Sequence, residues 1–510
     1  MNSRLIHQNK RQRGSTLFAT LGFVFILALL GSAILSSTMQ GLHLTRHQSE
    51  KAQAFNIAES GADLAVRWLK DQPYPPFGTT PFDPFGGTFS LGEGTYSVTI
   101  YPHPNNIGSS LKVYTIVSTG TLGTRSERVE VVVREQSFGR YAYFTDREVS
   151  SVSGGPIWFM WSDRIRGPAH SNNRGGSNFR VSWQNGGQPI FEDQVTSSGS
   201  EIIYSPSRPT TEPQFLSIYR TGSRGYQLDV DPIPLPNSSD LQRDVAWGGS
   251  TGFPTTNGVY VPSNGGIFIR GNSSINMSVN GSGNQVFQIT QGSNVTTVTV
   301  DTLNNVRHVQ VNSGPTTTVP GAGSGVVYSM SNIEGLQGTI ANNHTTGGSN
   351  PEVLARNAYT IAVDVNAERF IRVTGNLQYQ STPNPALPIT HPTNVVPGTL
   401  GLLARDVRIA STAPTNLRID GLIMAGSEST SNGSFYLENW STKAVGTLTT
   451  MGGLIQKARG PVGTFSGSGI VSGYAKNYWY DTRLADFPPP YFPTTGLYDR
   501  LSWRRLAMSN

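Results

Sequence analysis

Side chains with catalytic potential are few in this chain, and their spacing is poor for chemistry. Cysteine is absent and the eight histidines show neither H-x-H nor H-E-x-x-H spacing, so no thiolate or zinc centre is expected. His170, in GPAHSN, stands in a glycine-flanked block rich in tryptophan that reads as a packed turn. Gly248–Gly252 spells GGSTG, the letters of a nucleophile elbow, but lacks the strand before it and the helix after it. Asp229 with Asp231, and Glu192 with Asp193, are the local carboxylate pairs. A sugar-cleaving β-helix needs two carboxylates in one cleft, whereas an exposed acidic edge of a coil accounts for this spacing better. Neither a G-x-x-x-x-G-K-[ST] loop nor an EF-hand loop occurs, so neither nucleotide nor calcium is implied. No enzyme, metal or cofactor is expected.

Anion binding has more candidates. Arg164 and Arg166 form one small basic group, and Arg500, Arg504 and Arg505 another, each a potential contact for an anionic ligand. The overall charge of +6 is unevenly placed. Arg4, Lys10, Arg11 and Arg13 lie before Gly14, the last three arginines lie beyond Thr495, and residues 15–494 sum to zero. Residues 251–350 carry only Arg270, Arg307, Asp301 and Glu334 as charges, too few cations for phosphate-driven binding there.

The elements that must position these groups are mostly strands. Of 510 residues, 57 are glycine and 32 proline, while 14% are charged, which favours strands and turns over long surface helices. The N-terminus is the exception. From Ser15 to Thr45 there is no Asp, Glu, Lys or Arg, and Leu17–Leu35 is apolar and long enough to cross a bilayer. Leu17, Phe18, Phe23, Phe25, Ile26, Leu29 and Leu35 would face lipid. Basic residues on its N-terminal side predict a single pass with a cytoplasmic N-terminus. Phe55, Ala58, Ala62, Ala65 and Leu69 then recur at helical spacing as far as Gln72-Pro73. One helix of about 80 Å over 15–71 is expected.

RQRG followed by STLFATLGFVFILALLG resembles the prepilins of type IV pili and the pseudopilins of type II secretion. The resemblance implies a basic leader (1–14), cutting between Gly14 and Ser15 by prepilin peptidase, and methylation at Ser15. Two positions depart from it: the first mature residue is Ser, and Ala19 stands where major pilins carry a glutamate. AFNIAESGADLAVRWL (Ala54–Leu69) resembles PilX-type minor pilins, and the missing acid suits a minor or tip position. Alternating runs at Thr95–Tyr101, Lys112–Ser118 and Arg128–Arg134 predict an antiparallel sheet within 72–135, so helix and sheet form a pilin-like α+β head.

From 138 to 475 short alternating runs recur between Gly, Asn and Ser turns, clearest in Gly258–Asp301. They suggest a large β-solenoid, or β-helix, with a β-sandwich as the other reading. IWFMWSDRIRGPAHSN (Ile157–Asn172), PIFEDQVTSSG (Pro189–Gly199), GVYVPSNGGIFIRG and GTLTTMGGLIQKARGPVGTF (Gly446–Phe465) resemble the DUF4900 family across 140–500. The layout is similar to competence minor pilins that carry a solenoid. A Pro- and aromatic-rich tail is expected over 476–510. The fold class is therefore mainly β with one long N-terminal helix.

These resemblances imply a minor pilin-like subunit with three partners: other pilin or pseudopilin subunits, the inner membrane and prepilin peptidase. It would sit in the cytoplasmic membrane, then at the pilus or cell surface, displaying its β region for adhesion, capture or assembly. DNA and surface glycans are the candidate ligands. Three rival readings stay open: a DNA-binding tip subunit, a static membrane-anchored surface protein, and a polysaccharide-active β-helix enzyme.

Overall fold

The chain is mainly β, with one long helix at its N-terminal side. The computed structural model describes residues 15–72, 74–76, 78–106, 110–161, 163–183, 187–345, 354–381, 396–466 and 469–507. Helix α1 runs from Ser15 to Lys70, about 84 Å at 1.5 Å per residue. Its first half is exposed along its length among the described residues. Its second half buries Ala54, Ala58, Ala62, Ala65 and Leu69 against an antiparallel sheet.

That sheet consists of β1 (Phe89–Leu91), β2 (Gly94–Pro102), β3 (Val113–Leu122) and β4 (Arg125–Ser137), paired in sequence order. Period-two alternation places Val98 and Ile100, Tyr114 and Ile116, and Val129, Val131 and Val133 on the helix side. A fifth strand, Thr494–Leu506, completes it by pairing antiparallel with β4. Residues 494–506, read from sequence as part of a tail, are therefore an edge of the head. A bulge between Arg500 and Ser502 breaks the alternation there, and three arginines obscure what remains.

The β region is built on parallel pairing. One ladder stacks Ile267–Arg270, Val326–Ser329, Ala358–Val363, Thr399–Ala404, Asn416–Ala425 and Gly446–Arg459 in that order. It continues not with later residues but with Tyr143–Ser150, Ala169–Ser171, Val195–Ser197 and Tyr226–Gln227. A second ladder joins Ser273–Val279, Ile333–Ile340, Phe370–Tyr379, Asp406–Ile409 and Phe435–Leu437. The chain thus enters and leaves its β region in the middle of the stack.

Residues 228–257 must then cross from one end of the stack to the other. They run along its outer face, where Asn172 clips Ile233, Glu428 N–H donates to Pro236 O, and Ser239 Oγ donates to Val363 O. Ile233, Leu235 and Ala246 of this strap form a second core with Phe144, Leu403, Leu422, Met424 and Ile455. Central strands are consequently buried on both faces, which is why TLGLLA and GLIMA read as continuous apolar runs. An antiparallel meander from Ser273 to Pro320 closes one end. Buried Arg307 docks it, donating to the carbonyls of Pro262, Ser263, Gly265, Gly266, Pro320 and Gly321.

Candidate functional site: the exposed helix and its head

The apolar half of α1 is the largest unpartnered surface among the described residues. Leu17, Phe18, Phe23, Phe25, Ile26, Leu29 and Leu35 are each between 54% and 79% exposed. By length and composition this helix can cross a membrane. Four hydroxyls along it bond within the helix: Thr20 donates to Thr16 O at 2.9 Å, Ser32 to Leu29 O, Thr38 to Ile34 O and Thr45 to Gly41 O, each of these three at 2.8 Å. Such internal bonding lets polar residues sit in an apolar medium. Gly14 and the other residues expected to form a leader lie outside the described residues, and Ser15 begins the helix.

Small residues set how closely α1 lies on the sheet. A Cβ at Gly120 would overlap the backbone of Ala54 and Ala58, and one at Gly61 would stand 2.9 Å from Tyr96 Cδ2. Charges then lock the head's edge strand to its neighbours. Arg504 donates bidentately to Glu130 (2.6 and 3.0 Å), Arg505 Nε to Glu127 (2.7 Å) and Arg500 Nη2 to Asp63 on α1 (2.8 Å). The hydrogen bond from Arg505 holds the Glu127 carboxyl below its ordinary range against the opposing effect of burial. The three arginines named as anion contacts are therefore occupied by carboxylates of the head.

The remaining candidates do not converge. Arg164 pairs with Glu192, and Arg166 stacks 3.7 Å over the Trp479 ring while donating to Asn477 Oδ1 at 3.1 Å. Asp229 and Asp231 are exposed on the strap, outside any strand, and Asp229 has a φ of +54°. Ser250 follows the helix Asp240–Trp247 rather than a strand, with Gly248 as that helix's left-handed cap. His170 is buried against Phe144, ring centroids 5.0 Å apart, with its nitrogens 2.8 Å from Thr196 Oγ1 and 3.0 Å from Asn172 Oδ1. Burial lowers its pKa to about 4. It serves packing in the outer core. No cluster of three or more His, Asp or Glu able to hold a metal occurs among the described residues.

Two comparisons find similarities to known proteins. The family model for a domain of unknown function, DUF4900, matches residues 111–200. The chain is also similar to the crystal structure of competence-associated pilin ComZ from Thermus thermophilus, at 13% identity and a TM-score of 0.30, covering 90% of this chain and 98% of that one. No curated protein matches it.

The DUF4900 match is narrower than the 140–500 expected from sequence. It begins in the head, just before β3, and contains the blocks Ile157–Asn172 and Pro189–Gly199. The later blocks lie beyond it. Sequence reading missed the junction where Gly446–Arg459 lies against Tyr143–Ser150. There Lys457 pairs with Asp146 (3.0 Å), Arg459 with Glu148 (3.2 Å) and Lys476 with Asp163 (2.9 Å). A signal was present: Lys457 and Arg459 of the run GGLIQKAR stand two apart, and so do the acids Asp146 and Glu148 of TDREV, the spacing that puts each pair on one face of its strand.

Proposed function

We propose that the chain is a minor pilin-like, or pseudopilin-like, subunit of a type IV pilus or related secretion or competence filament. The observation that carries this reading is the division of one continuous helix, apolar and bare as far as Leu44, then seated on an antiparallel sheet from Ala54. Burying one such large apolar side chain is worth about 1.5–3 kcal/mol. A bare stripe of this length therefore demands lipid first and neighbouring helices afterwards. The N-terminus stays cytoplasmic, prepilin peptidase cuts after Gly14, and Ser15 is methylated. With Ala19 in place of an acid, the subunit suits a minor or tip position.

On this reading the parallel ladders are the coils of a β-solenoid displayed outward for adhesion or capture. The protein works by assembly and display rather than by catalysis. Phosphate-driven DNA capture needs cations that are not already paired. Arg164, Arg500, Arg504 and Arg505 each face a carboxylate, which favours a hydrogen-bonding display surface over a DNA groove. Mass spectrometry of the N-terminus in wild-type and peptidase-deficient cells tests the assignment. A methylated Ser15 terminus in wild-type cells alone is expected, and an intact leader in wild-type cells overturns it.

A further inference from the structure

Where Gly446–Arg459 meets Tyr143–Ser150 in the middle of the stack, the wall of the β region opens into a cleft of about 320 Å³. Trp158, Trp440 and Phe465 form its sides, and Gln456, Arg459 and Lys476 supply its donors. Arg459 is 4% exposed. Its Nη1 donates to Glu148 Oε2 at 3.2 Å and Ile157 O at 3.4 Å, and the Phe159 ring covers its face at 4.2 Å. Nε and Nη2, which share the other edge of the guanidinium plane, have no protein partner among the described residues. Gln456, 3% exposed, accepts from Phe435 N and Gly460 N through Oε1, each at 3.3 Å, and its amide nitrogen likewise has none.

Donors without a protein acceptor on the wall of a cleft are open to a ligand, and a pair on one guanidinium edge is suited to two oxygens side by side. The charges decide which oxygens. Arg459 is balanced by Glu148 and Lys476 by Asp163, so the cleft offers directed donors without net charge. An anion would have to share Arg459 with a buried carboxylate. An uncharged ligand with vicinal hydroxyls and one apolar face meets every feature: hydroxyl oxygens at the guanidinium edge and the Gln456 amide, C–H face on the indoles. The cleft is at the small end of ligand pockets.

We infer that this cleft binds a neutral pyranose unit of a glycan, with Arg459 and Gln456 reading hydroxyls and Trp158 and Trp440 holding the ring. The inference rests on the display reading above and names what is displayed. The test is saturation-transfer NMR and calorimetry on the full chain in detergent, with methyl glucoside, galactoside and mannoside and with methyl glucuronide as the charged control. At least one neutral glycoside is expected to bind. Trp440→Ala, which leaves the ion pairs intact, should weaken it about tenfold or more. Arg459→Lys, which keeps a cation beside Glu148 but removes the two-donor edge, should do the same when compared at a temperature where both chains are fully folded. Three results overturn it: no binding up to about 50 mM, binding unchanged in Trp440→Ala, or preference for the glucuronide. A chain cleaved at Gly14 that binds no sugar sinks this inference alone. Sugar binding by an uncleaved chain sinks only the pilus reading.

Discussion

Glu135 shows how one residue couples the head to the β region. It is 4% exposed, beside a cavity of about 300 Å³ between the two, accepting Lys112 N–H at 2.8 Å and the Thr494 hydroxyl at 3.1 Å. Burial outweighs these bonds and the nearby Lys112 ammonium, and raises its pKa to about 7. Tyr114 and Tyr498 face the same site. A carboxyl that holds its proton longer when folded stabilises the fold fully below about pH 4.5 and loses that contribution as pH rises through about 7, roughly 3 kcal/mol in all. Denaturation of the wild type should show stability falling across that window, and Glu135→Gln should flatten the slope. An identical slope in the variant would assign it to another group. His170 acts in the opposite sense: its lowered pKa contributes stability above about pH 6.5 that is lost as pH falls through about 4. Neither effect can be read from sequence, because each comes from burial by segments distant along the chain.

At the scale of elements, the head is held by close approach and by a borrowed strand. Gly120 permits α1 to lie against β3, since any Cβ there meets the backbone of Ala54 and Ala58. Gly120→Val should force the two apart and destabilise the head by about 1–3 kcal/mol. Hydrogen exchange would show this as lost protection at Val129, Val131 and Val133, with the β region unaffected, and unchanged protection would mean that the helix yields cheaply. Ala58, Ala62, Ala65 and Leu69 were legible as a helical face because their period is local, whereas buried Ala54, one position before Phe55, was not. The strand Thr494–Leu506 was not legible, because its partner β4 lies more than 350 residues earlier and a bulge breaks its own period. Its tight pairs, Arg504 with Glu130 and Arg505 with Glu127, join the two ends of the β region to one sheet.

For the whole molecule, the order of strands in the stack differs from their order in the chain. Tyr143–Ser150 rests on Gly446–Arg459, so the coils of 143–227 depend on residues made 300 positions later. A chain ending at Val445 loses that support together with Arg459 and Lys476, the cations paired with buried Glu148 and Asp163, while Asp146 loses Lys457 and keeps Arg174. Limited proteolysis of this truncation should cleave within 143–227 while a fragment spanning about 258–425 stays protected, because its ladders pair with one another. Equal protection of both parts would show that the first coils stand alone. The two connections between head and β region, residues 138–142 and 480–493, leave the stack side by side. A pull on the head is therefore shared by both.

Local pattern alone determined the long helix with its uncharged first half, the alternating strands of the head, the mainly β character of the rest and the concentration of basic residues near the two ends. Each is a property of period or composition within a few tens of residues. Tertiary structure alone decided which strand lies on which, that the C-terminus closes the head, that residues 228–257 strap the stack, and that a cleft opens at the junction. Backbone hydrogen bonds in a parallel ladder are the same for every sequence. Neighbours are chosen instead by side chains meeting across hundreds of residues, as Arg459 meets Glu148.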